Sequence, residues 1–171
     1  VVWGGLHGGA MALEHGRVPG QAVIKLDNDI LLPKHWVANV EYLVDAWRAQ
    51  GRALAMVSAV YDPWEQQRVM RTEPLGSETI YHVWPIIGHA VYHTAKFMDT
   101  VGFFDVLADN HLYGFEDLLM AHKANVLDWD TLAYSAWKIE NIQRSNALGG
   151  EVRDAHVREM RPLYEERVGR L

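Results

Sequence analysis

Ala22-Val23-Ile24-Lys25-Leu26-Asp27-Asn28-Asp29-Ile30-Leu31-Leu32-Pro33 is the stretch on which the fold turns. Its first five residues form a short, nearly continuous apolar run, the mark of a strand covered on both faces. Two carboxylates one residue apart follow at once. In an open α/β sheet, ligands bind beyond the carboxyl ends of the strands, so Asp27 and Asp29 at that place face a binding crevice. Hard oxygen donors of this kind suit Mg2+ or Mn2+, which take one or two protein carboxylates and complete their shell with phosphate oxygens and water. Asp-x-Asp is also a common turn, because short polar side chains hydrogen-bond their own backbone. The tripeptide alone leaves both readings open.

Working outward, residues 34–50 place Trp36, Val37, Val40, Leu43, Val44 and Trp47 at helical spacing, and Gly51 closes the helix. Residues 54–60 read as the next strand. Residues 62–77 carry charge, two prolines and a glycine, which predicts a surface excursion. Strand character returns over 79–84 and 88–92, with a short helix over 94–101. A second helix is expected from Glu116 to about Asn125, an extended segment over 126–134, and a polar amphipathic helix over 151–168. Upstream, residues 1–3 read as a strand end, 4–9 as a turn and 10–15 as a helix closed by Gly16. Strands alternate with helices, which predicts a single α/β domain over 1–171 with a largely parallel sheet.

Composition bounds the function. With 171 residues, 49% hydrophobic and 22% charged, the chain has the make-up of a folded domain with a real core. A net charge of −6 with scattered basic residues argues against a nucleic-acid groove, which needs a basic stripe to neutralise phosphates. The absence of cysteine excludes disulfides and thiolate metal sites and leaves carboxylates and nine histidines as ligands. It also points to a reducing, cytoplasmic setting. No apolar run reaches the roughly 20 residues of a membrane span, and the chain is expected to be soluble. It opens at Val1 without a methionine, which predicts a start in the interior of a longer protein.

Residues 24–33 with Trp36 beyond them resemble the Asp-x-Asp region of family 2 and related GT-A glycosyltransferases. Two further segments agree in order and spacing. Ile87-Gly88-His89-Ala90-Val91-Tyr92, continuing to Val101-Gly102-Phe103-Phe104-Asp105, resembles that family's acceptor-side segment; Tyr113-Gly114-Phe115-Glu116-Asp117 resembles its Gly-x-Glu-Asp motif, which begins a helix under the acceptor site. The helix ahead of Gly16 occupies the place of the family's Gly- and Ala-rich helix. Together these segments span roughly residues 5 to 130.

The resemblance implies a GT-A-like fold and transfer of a sugar from a nucleotide-sugar to a hydroxyl on a sugar, lipid or protein. Asp29 would be the principal ligand of Mn2+ or Mg2+. Asp27 would contact the ribose or a metal-bound water, with Asn28 completing the donor-binding tripeptide. Asp117 would be the general base of an inverting reaction, with Glu116 as the alternative. Gly114 belongs to the acceptor-side motif, and His89 would face the acceptor. Trp84 and Tyr92 are expected to line the site, because an aromatic face offers a sugar an apolar surface. In place of the family's common third ligand, a histidine, residues 134–137 read Tyr134-Ser135-Ala136-Trp137, which leaves His156 as the candidate. Only 26 residues precede Asp27, so the nucleotide-binding half is expected to be incomplete. A binding module for carbohydrate or nucleotide on the same fold, without catalysis, is the alternative reading. Acidic residues in a first helical turn also favour the helix dipole without any catalytic duty.

Overall fold

A computed structural model of the chain describes residues 18–26, 30–60, 69–86, 90–102, 116–138, 140–141 and 150–169. Their centre is a six-stranded sheet in the order β1-β6-β3-β7-β5-β4. The strands are β1 (Val23–Leu26), β3 (Leu54–Val60), β4 (Val69–Leu75), β5 (Glu78–Val83), β6 (Ala90–His93) and β7 (Asp130–Lys138). A second, two-stranded sheet pairs β2 (Ile30–Leu31) with β8 (Glu140–Asn141). The helices are α1 (Trp36–Ala49), α2 (Ala95–Val101), α3 (Glu116–Val126) and α4 (Gly150–Val168).

Side-chain alternation along the central strands explains why they are apolar in succession. On one face Ile24, Val57, Ile80, Tyr92 and Leu132 pack with Trp36, Val40, Leu43, Val44 and Trp47 of α1. On the other, Val23, Ala55, Val83, Val91 and Ala133 pack with Phe97 and Met98 of α2 and Met120, Ala121 and Ala124 of α3. Strands buried on both sides cannot alternate apolar with polar, so their sequences read as unbroken hydrophobic runs. The result is an α/β molecule with helices on both faces of its sheet.

The sheet is mixed, which corrects the expectation of a largely parallel one. Within it only β3 and β7 pair parallel; β1 with β6, β6 with β3, β7 with β5 and β5 with β4 are antiparallel. An apolar run reports burial on two faces and carries no information about strand direction, and here β6 inserts between β1 and β3 in the opposite sense. It follows from these pairings that β1, β3, β4 and β7 all run one way and β5 and β6 the other.

Of residues 62–77, those from 69 onward hold more structure than an excursion. Residues 69–75 form the edge strand β4, whose Met70, Arg71, Thr72 and Pro74 are exposed. A proline is tolerated there because an edge strand need not donate on both sides. The turn into β5 has Gly76 at φ 62°, the positive φ that the first central residue of a two-residue hairpin turn of type II′ adopts. The segments read from sequence at 1–16 and 103–105 lie outside the described residues. Among the described residues no helix is long and apolar enough to cross a membrane.

Candidate active site

Strand β1 supplies the first part of the site. Val23 faces the α2/α3 side and Ile24 the α1 side, so the two-residue period puts Lys25 on the same side as Val23. A lysine on a strand between two packed layers needs a partner, since burying an unpaired ammonium is costly. Asp117 provides one. Lys25 Nζ donates to Asp117 Oδ1 at 3.1 Å and Oδ2 at 3.0 Å. The two side chains keep only 13% and 23% of their exposure.

Asp117 is the second residue of α3, so its carboxylate lies in the first turn, where the helix dipole favours negative charge. The ion pair joins residues 92 positions apart in sequence. It fixes the start of α3 beside β1, two residues ahead of Asp27. Leu26, the last residue of β1, pairs with Ala90, and Ile30, the first residue of β2, pairs with Asn141. The segment containing Asp27, Asn28 and Asp29 is thus bracketed by two anchored strands. These three residues, with His89 and Gly114, lie outside the described residues.

Tyr92 and Trp84 stand apart from the Lys25–Asp117 pair. Tyr92 is buried in the core on the α1 face, opposite the Lys25–Asp117 pair. Burial, with the Glu41 carboxylate adding to it, pushes its hydroxyl above the ordinary tyrosine range, and Arg48 acts the other way. Trp84 is 38% exposed and follows the carboxyl end of β5. Because β5 runs against β1, that is the opposite end of the sheet from the carboxyl end of β1. Strand patterning over 79–84 and 88–92 says nothing of strand direction, which sets the end of the sheet that Trp84 follows, or of which face meets α1, which takes Tyr92 into the core. Glu116 begins α3, and His156 is carried by α4, which lies against α3.

Lys25 is the residue to which the sequence reading gave no role. The signal for it was present, a single cation inside an otherwise apolar run. A second polar group, at the other end of the sheet, is built around Asp130 at the start of β7. Trp47 Nε1 donates to Asp130 Oδ2 at 2.8 Å, and Arg52 bridges Asp130 and Glu73, with 2.6 Å to Glu73 Oε1. His82 sets one ring nitrogen 2.9 Å from Glu73 and the other 3.0 Å from Asp130. Burial alone would raise the Asp130 carboxyl. The hydrogen bonds from His82 and Trp47 and the Arg52 charge outweigh it and hold the group at about 2.

For a metal, the donor chemistry of Asp27 and Asp29 fits a hard divalent ion, as two carboxylates one residue apart. Among the described residues no group of three or more His, Cys, Asp or Glu side chains could hold one. Comparison of the chain with protein-family models matches none of them, and comparison with curated proteins finds no match.

Proposed function

We propose that this protein is a metal-dependent glycosyltransferase of GT-A type, transferring a sugar from a nucleotide-sugar donor to a hydroxyl-bearing acceptor with inversion. The observation that carries the reading is the Lys25–Asp117 contact. Through it Lys25, two residues ahead of the Asp-x-Asp tripeptide, meets Asp117 of the Gly-x-Glu-Asp stretch near the carboxyl end of β1. That is the place where α/β sheets bind ligands.

Asp29 and Asp27 would hold Mn2+ or Mg2+, which when bound stabilises the negative charge gathering on the diphosphate leaving group. Asp117, the general base, takes the proton of the acceptor hydroxyl. As it does so the hydroxyl oxygen forms a bond to the anomeric carbon, and the bond from that carbon to the phosphate oxygen breaks. Its electron pair leaves with the nucleoside diphosphate. A general base of this kind supplies roughly 10²- to 10⁴-fold in rate. Glu116, one residue earlier on α3, is the alternative base.

Calorimetric titration of UDP and GDP, with and without Mn2+, into the protein and its Asp29→Ala variant tests the donor site. Metal-dependent binding to the wild type that the variant loses is the expected result. Metal-independent binding that survives in Asp29→Ala would instead favour a module that binds a nucleotide without catalysis, and absence of binding would overturn the reading.

A further inference from the structure

We infer that Lys25 is a positioning residue for Asp117: its paired hydrogen bonds to both carboxylate oxygens fix the plane of the group that receives the acceptor's proton. The inference rests on the glycosyltransferase reading of this site.

Three features of the contact argue for it. Lys25 stands on a strand whose backbone is locked by pairing, with Lys25 opposite Val91 and Leu26 opposite Ala90. Its own side chain is 13% exposed, so the ammonium has little room to wander. Sites held by strands and packed side chains keep their geometry better than those on loops. Asp117, by contrast, sits at a helix start, where an aspartate has several rotamers and backbone amides to choose among. Contact with both of its oxygens removes that freedom.

The chemistry also gives the arrangement a direction. An ammonium has three donors and no acceptor, so Lys25 can hold the carboxylate oxygens but cannot itself take the acceptor's proton. Misplacing a reacting group by about 1 Å costs on the order of 10²-fold in rate, so orientation is the larger part of what Lys25 supplies. A lysine retained only to neutralise a buried carboxylate would stabilise the fold and leave turnover untouched.

The test is a kinetic cycle with whichever UDP- or GDP-sugar the wild type uses in the presence of Mn2+. It compares Lys25→Met, Lys25→Arg, Asp117→Asn and the double variant Lys25→Met/Asp117→Asn, each with its thermal unfolding curve. Lys25→Met is expected to lower kcat roughly 10- to 100-fold with the donor KM little changed. Lys25→Arg, which can also bind both oxygens, is expected to recover most of the rate. Because Lys25 acts through Asp117, the double variant should be no slower than Asp117→Asn alone. If Lys25→Met does not fold, Lys25→Gln, which keeps a donor but no charge, is judged by the same criterion. Wild-type kcat in the folded Lys25 variants, or losses that multiply in the double variant, would overturn the inference while leaving the enzyme reading intact. A wild type that transfers from no nucleotide-sugar overturns both.

Discussion

His93 shows how much a single buried side chain can govern. It lies opposite Val23 in the register of β6 with β1 and is 1% exposed. Burial pushes its imidazole down to about 3, the Lys25 charge pushes the same way, and backbone hydrogen bonds at Val23 and Val91 act against both. The ordinary value for the unfolded chain is 6.5. Between these two values the unfolded state binds a proton that the native state refuses, so stability falls as pH drops below about 6.5 and is complete above it. One such proton corresponds to a slope of about 1.4 kcal/mol per pH unit. Replacing the ring with glutamine removes the titration. The difference in unfolding free energy between about pH 6 and about pH 5, measured by urea denaturation, should therefore be smaller in His93→Gln by about that amount. Equal slopes in the two proteins would mean that His93 is protonated in the native state after all.

At the scale of elements, the hairpin β4–β5 is tied to α1 and β7 by polar contacts as well as by its ladder. Asp130 receives Trp47, Arg52 and His82 with its side chain 19% exposed, and Arg52 lies 3.9 Å over the Trp47 ring. The Arg48–Asp45 pair on α1 has a similar length, 3.1 Å, with both side chains 73% exposed. Burial decides between them. Removing one member of a fully buried ion pair costs roughly 3–5 kcal/mol, and Asp130, partly buried and bonded to Trp47, Arg52 and His82, belongs at the lower end of that range, whereas an exposed pair at helical spacing is worth about 0.3–0.5 kcal/mol. Asp130→Ala should lower the unfolding free energy by about 3 kcal/mol and Asp45→Ala by under about 0.5 kcal/mol. Similar losses in the two variants would mean that Asp130 contributes no more than a surface charge. Sequence patterning made most of the elements legible. The α1 stripe from Trp36 to Trp47, the β3 run and the short helix read over 94–101 all come from local spacing. Strand β4 was hidden because an exposed edge strand with Pro74 and three charged or polar neighbours has no apolar period to detect. Lys25 pairing with Asp117 was hidden for a different reason. Each residue shows its own need for a partner, but only the tertiary path of the chain shows that the two needs meet.

On the scale of the whole molecule, strand direction separates two polar centres that composition alone cannot tell apart. Lys25 stands near the carboxyl end of β1, and Asp130 begins β7, which runs the same way as β1; the two therefore lie toward opposite ends of the sheet. The first pairs Lys25 with Asp117, the proposed base, and the second joins α1, the hairpin and β7 into one body. Such a division predicts that stability and ligand affinity can be altered independently. Glu73 is the residue with which to test it, because it bonds Arg52 and His82 and belongs to the second centre only. Burial works to raise its carboxyl, but the bonds from Arg52 and His82 outweigh that and hold it below its ordinary 4.5. A carboxylate with a depressed native value stabilises the fold above its unfolded value. That contribution disappears as pH falls through the native value, so Glu73 adds to acid unfolding from about pH 4.5 downward, on top of Asp130, whose window runs from 3.8 to about 2. In Glu73→Gln the urea midpoint at neutral pH should fall, and the further loss of stability below about pH 4.5 should be shallower than in the wild type. Metal-dependent affinity for the nucleotide that the wild type binds should stay within about twofold, a change of under roughly 0.5 kcal/mol. A tenfold weakening at unchanged fold would show that the two ends of the sheet are coupled, and the hairpin would then have to be counted as part of the binding site.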